Sequence, residues 1–541
     1  MTIESNIKQL IETATELEDA TYVFLSLGKE NIKATVKLLK TLRNLERNVI
    51  KQCQNFRKKT GSYPKWIKLD IVTETDSVPF HDIKRQLIET RRNYIDFGLA
   101  FDDNWNLTFL PEEINANAFV RPDKQNGGMM LSEANINNYL RKYTSHKVAY
   151  KHDTYEGKNV TKFYTQSYIS DEEGVHTLGE RGYRKTLRKV EDLHSEIDKL
   201  ITTSVHHLKN EIQENGRFIY GYFPHFDKKI SNYNMLRHSS SAYALIEGLA
   251  YLGEDTSAVA PAIDYVIDQH IYEKDGAGYV FDDTNDVNEI KLGQNASFIF
   301  AVVEYLKHHP DESKYLKAAQ HVAKGILNMI DAESGKTTHV LNYPDLSVKE
   351  TFRIVYYDGE AALALLRLYQ VDKDPLWLKT VKQLFEKFIA EDYWKYHDHW
   401  LGYCTNELVK YEDDERYFKF GIQNVSGYLD YIHNRETTFP TFLEMLMATY
   451  KLIQKAKEMG HEDLVESLIN EDYFMETLHL RADYQRTGYF YPEIAMYFKN
   501  PQRILGAFFI KHHGYRVRID DIEHYLSGYV QYQNAFKGES K

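Results

Sequence analysis

The densest run of proton-moving groups in this 541-residue chain is KYHDHW, residues 395–400, where His397, Asp398 and His399 stand between Tyr396 and Trp400. An aspartate set among aromatic rings in a cleft loses solvation, which raises its pKa toward the range a general acid needs. A second run, RVRIDDIEH, sets Arg518, Asp521 and His524 at i, i+3 spacing on one helix face. In the same run Asp520 lies four residues before His524, where a carboxylate can hold the imidazole in one tautomer. In YYDGE, Asp358 and Glu360 diverge by roughly 200° around a helix, so one can face a cavity while the other caps. Glu360 is read as the inward one, because Ala361, Ala362 and Leu363 follow it directly.

Other clusters have binding chemistry. NYNMLRHSSS sets Arg237 and His238 among three hydroxyls, with Asn232 and Tyr233 just before them. Its guanidinium can clamp a carboxylate or phosphate with two parallel bonds, and His238 can serve as acid, base or hydroxyl donor. KLGQNAS offers Gln294 with further amides and hydroxyls beside a lysine, a set suited to binding. Glu407, further along the helix that follows KYHDHW, can face inward, and Glu436, in HNRETT, and Glu444 complete a ring of acids. Each of these groups also has a structural use. An acid can cap the orphan N–H groups of a helix start, Arg237 can pair with a neighbouring acid, Glu407 can pair with a buried arginine, and His238 can be a hydrogen-bonded core histidine. Neighbouring residues of an extended HDH point to opposite sides, and no HxxxH or HExxH accompanies it. No metal site and no cofactor are expected.

These clusters share one setting. From about residue 188 a loop rich in Gly, aromatic and acidic residues leads into a polar knot, and the knot runs into an apolar helix, about six times over. Apolar helices are expected to begin at 235, 291, 358, 402, 440 and 519. More charged ones are expected near 188, 256, 311, 374 and 462, with 417–433 taking the remaining outer place by its order. Helices apolar all round belong inside and amphipathic ones outside. Six of each in alternation describe a mainly α fold, a closed (α/α)6 toroid, with the long outer-to-inner loops gathered at one functional face.

Ahead of it, residues 1–60 read as a helical segment, with apolar residues at helical spacing through IKQLIETATEL and IKATVKLLKTLRNLERNVIKQ. Residues 61–187 read as a small α/β domain with strands at WIKLDIVTE, FGLAFDD and NLTFLP, a helix at FHDIKRQLIETRRNY and a hairpin around Glu156–Gly157. The toroid takes residues 188–541.

Composition bounds the partners. Net charge is −12 and the longest basic run is FRKK, a poor basis for nucleic-acid binding. No apolar run approaches the roughly 20 residues of a membrane span, and the acidic N-terminus lacks the features of a signal peptide. Two cysteines far apart exclude a disulfide framework, so a cytoplasmic setting is expected. The 41 Tyr, 27 Phe and 5 Trp supply ring faces on which sugars stack while their hydroxyls bond at the edges.

Through Asn232–Ser240, Tyr356–Ala361, Asp398–Glu407 and Arg516–His524, the last two-thirds of the chain resembles the six-hairpin glycosidase-like superfamily of (α/α)6 toroids. Segment 90–120 resembles the AMMECR-type α/β domain. The toroid resemblance implies a carbohydrate-active protein acting on a poly- or oligosaccharide. In a hydrolase Asp398 would be the general acid and Asp521 the base, with Glu360 as substitute, and Arg237, Tyr357, Trp400 and His524 would bind sugar. Alternatively, His238, His399 or His524 would abstract a proton beside a carbonyl or carboxylate, as an epimerase or lyase does. A third reading is a non-catalytic glycan- or protein-binding component, with a protein partner at the N-terminal region.

Overall fold

The structure, a computed structural model, describes residues 3–538 except Asp19, Thr41 and Arg91, and excepting the side chain of Glu18. It divides into two compact units. One comprises Leu193–Gly221, Lys229–Gln485 and Arg518–Lys541; the other comprises Met1–Asp192, Tyr222–Lys228 and Arg486–Val517.

The first unit is an (α/α)6 toroid. Its inner helices are α2 (Met235–Leu252), α4 (Leu292–His308), α6 (Tyr356–Asp372), α8 (His399–Leu408), α10 (Thr441–Glu458) and α12 (Ile519–Phe536). Its outer helices are α1 (Leu193–Asn210), α3 (Ala260–Gln269), α5 (Ser313–Asn328), α7 (Pro375–Ala390), α9 (Glu415–Ser426) and α11 (Glu471–Tyr484). Each inner helix packs on the next, and α12 returns to pack on α2, which closes the ring. Sequence dictates the two layers. In α4 every residue from Leu292 to Leu306 is buried, whereas α5 buries one stripe through Tyr315, Ala319, Val322 and Ile326. Two of the inner helices start on a polar cap. Asn234 caps α2 by accepting from the Arg237 N–H, and Asp398 caps α8 by accepting from the Trp400 N–H.

Local chemistry moved some boundaries. The helix expected from 402 begins at His399, because Asp398 is its cap. The outer helix expected over 417–433 breaks at Gly427 into α9 and a short helix Leu429–Asn434. The one expected over 462–480 splits into Glu462–Leu468 and α11. The loop between α3 and α4 holds a hairpin, Ile271–Lys274 with Ala277–Val280, turned at Asp275 and Gly276, both at positive φ, as an Asp-Gly hairpin turn requires.

The second unit is built on an antiparallel sheet. Strands β1 (Val23–Lys29), β2 (Ile32–Leu39), β3 (Trp66–Pro79), β4 (Gly98–Ala100), β5 (Thr108–Phe109) and β6 (Asn159–Ser170) lie in the order β2-β1-β3-β6-β4-β5, and β7 (Val175–Thr177) pairs with β6. The expected helical segment over 1–60 is therefore corrected. Residues 23–39 form a hairpin in the same sheet as residues 66–79, and among the described residues there only Ile3–Thr13 and Leu45–Thr60 are α-helices. The apolar residues of IKATVKLL satisfy a helical spacing, but β-branched Ile32, Thr35 and Val36 favour the strand. The hairpin expected at Glu156–Gly157 is also corrected, since β6 pairs with the distant β3. Residues 486–517, read as toroid, belong to this unit: Ala34 N–H donates to Met496 O at 2.7 Å and Tyr497 bonds Ser26 at 2.8 Å. That stretch lacks the inner–outer helical pattern.

Its interior also holds charge. Arg188, 3% exposed, donates through two nitrogens to Glu493 at 2.9 and 2.7 Å and to Asp171 at 2.8 Å. Glu493→Ala leaves that guanidinium buried and short of a partner. It is expected to destabilise this unit by about 3 kcal/mol or more, read as a lower urea midpoint; an unchanged midpoint would contradict a stabilising role for the pair.

Candidate functional site

At the N-terminal ends of the inner helices lies a cavity of about 470 Å3. It collects side chains from five of them: Arg237 and Ser240 of α2, Glu360 of α6, His399 and Trp400 of α8, Phe442 and Met445 of α10, and Asp520, Glu523 and His524 of α12. On α12 the last three sit at i, i+3 and i+4, which puts them on one face. His399 is the first residue of α8, so the Asp398 cap determines where its imidazole stands.

The two histidines meet edge to face, ring centroids 5.3 Å apart. Their environments drive them in opposite directions. Burial alone would depress the His524 imidazolium, but Glu523 and Glu444 outweigh it and raise its pKa to about 10. His524 Nδ1 lies 2.8 Å from Glu444 Oε2 and 3.7 Å from Glu523 Oε1. His399 has no such support. Burial, reinforced by the charge on His524, holds it well below the ordinary histidine range. Its Nδ1 faces Asp398 at 3.7 Å, and its Nε2 is buried with no hydrogen-bond partner in the protein. Near neutrality one ring is a cation and the other a free base.

The carboxyl groups differ in the same way. Burial, then Asp398 and Glu523, raise Glu360 well above the carboxylate range, and its Oε2 has no partner. Burial raises Glu523 to about 7, and it accepts a hydrogen bond from Ser240. For Asp520 burial is outweighed by Arg518 and Arg237, which keep it ionised; the Arg237 Nε bond is 2.9 Å long, and Arg237 also donates to Tyr220 OH at 2.9 Å.

Several residues expected at the site are placed elsewhere by the structure. Asp398 is fully buried and does not line the cavity; its Oδ1 is spent on the Trp400 N–H, and burial raises its pKa well above the usual range. Asp521 lies off the cavity, 3.5 Å from Arg518, and Arg518 itself is engaged with Asp520. His238 is a core histidine, bonded at 2.7 Å to both the Tyr233 hydroxyl and Ala262 O. Gln294 holds Val280 O at 2.8 Å, and Asn232 sits exposed in the loop before α2. Glu407, at the far end of α8, takes two bonds from Arg367. The partner of His524 is Glu444 on α10, whereas Asp520, four residues earlier on the same helix, is claimed by two arginines.

Tyr357 and His397 line the cavity, the latter stacked on Tyr428 at 4.1 Å. Glu523, Tyr356, Tyr428, Phe439 and Phe442 line it without having been singled out from sequence. Glu523 stands one residue before His524 in a motif already conspicuous, and FPTF directly follows a polar knot, so the positions were visible even if their orientation was not. One ligand atom each from His399, Glu444 and His524 lie within 4.8 Å of one another, a donor set that sequence spacing did not reveal. A divalent ion there would have to displace the proton that His524 shares with Glu444.

No protein-family model matches the sequence, and no curated protein matches it either. Among solved structures the chain is similar to a sugar epimerase from a ruminal bacterium (TM-score 0.48, 13% identity, covering 63% of this chain and 99% of that one). It is also similar to cellobiose 2-epimerase from Bacillus thermoamylovorans (TM-score 0.47, 12% identity, 63% and 99%). A third similarity is to a GH76 α-mannanase from Bacteroides thetaiotaomicron (TM-score 0.45, 11% identity, 64% and 98%).

Proposed function

We propose that this chain is a carbohydrate-active enzyme that moves a proton at the carbon next to the carbonyl of a reducing sugar, an epimerase or isomerase reaction. The observation that carries the reading is the His399–His524 pair: two histidines in one cavity, one neutral and one protonated at the same pH. In the open-chain sugar, His399 Nε2 takes the proton from the carbon beside the carbonyl. His524 gives its proton to the carbonyl oxygen, and the electron pair of the broken C–H bond becomes the double bond of an enediol. Return of a proton to carbon, with loss of one from oxygen, completes an epimer or an isomer according to the face and carbon that receive it. Glu444 keeps His524 charged and oriented. Trp400, Tyr356 and Phe439 offer apolar faces to the ring or chain of the sugar, while Arg237 and Asn234 stand among them as donors for hydroxyls.

Glu360 favours a second reading. A buried carboxyl kept protonated in a sugar-sized cavity is what a glycosidase needs to protonate a leaving oxygen. The reaction in D2O separates the two. Proton transfer incorporates deuterium at carbon into a reducing mono- or disaccharide without bond cleavage, seen as loss of its proton NMR signal. Hydrolysis releases a new reducing end without that exchange, and such a product would overturn the first reading.

His399→Ala and His524→Ala are each expected to slow deuterium incorporation by about 100-fold or more, with circular dichroism unchanged. Retained exchange in both variants would refute the assignment. The pH profile is a further check. In the native protein the rate is expected to fall as pH rises through about 10, where His524 loses its proton. Glu444→Gln removes a negative charge that stabilises the imidazolium, so it lowers the His524 pKa and moves that fall to lower pH. A limb that stays in place or moves upward would exclude His524 as the acid.

A further inference from the structure

At the opposite, C-terminal ends of the inner helices lies another cavity, of about 440 Å3. Its charges are not balanced in pairs. Lys307 and Lys455, in the last turns of α4 and α10, are ion-paired with Glu304 and Glu458, and there they also offset the negative ends of those helices. Arg367 gives Nε and Nη2 to Glu407 at 3.0 and 2.9 Å, but its Nη1 has no hydrogen-bond partner although the residue is 7% exposed. Among the described residues Lys410 and Lys451 have no carboxylate partner; the Lys451 ammonium donates at 3.0 Å to the neutral amide of Gln531. The remaining acid of the wall, Glu247, already accepts from Tyr243 at 2.7 Å and Ser527 at 2.9 Å, and burial raises it to about 7, so its charge is partial near neutrality. Three cationic groups therefore face this cavity: Arg367, buried on α6, and two exposed lysines, Lys410 just past the end of α8 and Lys451 on α10.

This cavity is wired to the first. Lys451 donates to Gln531 Oε1. Gln531 Nε2 donates to Tyr403 OH at 2.7 Å. Tyr403 OH donates to Glu444 Oε1 at 3.1 Å, and the other oxygen of Glu444 holds His524. The groups facing His524 are Glu444 on α10, Asp520 and Glu523 on its own helix, Glu360 on α6 and His399 on α8; of these, Glu444 is the one this chain reaches.

We propose that this second cavity binds a small oxyanion, a phosphate or carboxylate group held by Arg367, Lys410 and Lys451, and that its occupancy is transmitted through Gln531 and Tyr403 to His524. A bound oxyanion gives the buried Arg367 Nη1 an acceptor and takes further charge-assisted bonds from the two lysines. It draws the Lys451 ammonium from Gln531, which weakens donation along the chain and leaves Glu444 with more negative charge for the imidazolium. Anion binding and proton affinity at His524 are then linked in the same direction.

The test uses the full chain without sugar, so it stands or falls separately from the proton-transfer reading. Inorganic phosphate and a sugar phosphate are titrated calorimetrically. The His524 imidazole is followed by 15N NMR across pH, with and without phosphate. Saturable binding is expected, weakened at least about tenfold in the Lys410→Met, Lys451→Met double variant. A preference between the two probes separates free phosphate from a phosphorylated metabolite, and either ranking supports the site. No binding, or equal binding by the double variant, overturns it. Phosphate is expected to shift the His524 titration upward. Gln531→Leu, which still carries the three cations, is expected to bind phosphate while showing a smaller shift. No shift in the native chain, or an equal shift in Gln531→Leu, overturns the transmission.

Discussion

Gly248 lies on α2 where the first inner helix meets both its outer partner and the last inner helix. A methyl group added there would stand 2.5 Å from Val205 of α1 and 3.1 Å from Leu526 of α12. The glycine lets the side chains of α1 and α12 pack directly on α2, and α12 closes the ring by packing on α2 on one side and on α10 on the other. Both cavities depend on closure in turn. The wall carrying Asp520, Glu523 and His524 comes from α12, as does Gln531 of the opposite cavity.

Within the closed ring, burial sets the chemistry and hydrogen bonding decides its sign. His399 and His524 are both surrounded by protein, and desolvation opposes a charge on each. The difference lies in partners: Glu444 and Glu523 face one ring, while the nearest carboxyl to the other is Asp398, itself pushed toward its neutral form. Glu444 in turn is steadied by the Tyr403 hydroxyl. The acid–base asymmetry of the site is thus a property of which helix carries the carboxylates.

Much of this was legible in the sequence and some was not, for physical reasons. The layering of inner and outer helices follows from apolar periodicity, which is local, and so it could be read residue by residue. The knots at helix starts were legible because caps are local too. Whether Asp398 caps or reacts was not, since an N-cap aspartate and a general acid have the same neighbours in sequence. Spacing offers Asp520 as the partner of His524, whereas Glu444 is 80 residues away and only tertiary packing brings α10 against α12. At 23–39 the spacing of apolar residues in IKATVKLL fits both periods, and pairing with residues 66–71 decides between them. Continuity along the chain places residues 486–517 in the toroid, but continuity says nothing about packing.

The chain leaves the toroid after Gln485 and returns at Arg518 to lay down its last inner helix. The element that seals the ring is therefore also the one that brings the protonated histidine. An open ring would keep His399, its aromatic neighbours and the carboxyl of Glu360, but not the imidazolium of His524. The paired imidazoles therefore belong to the closed ring, where the last inner helix lies against its neighbours.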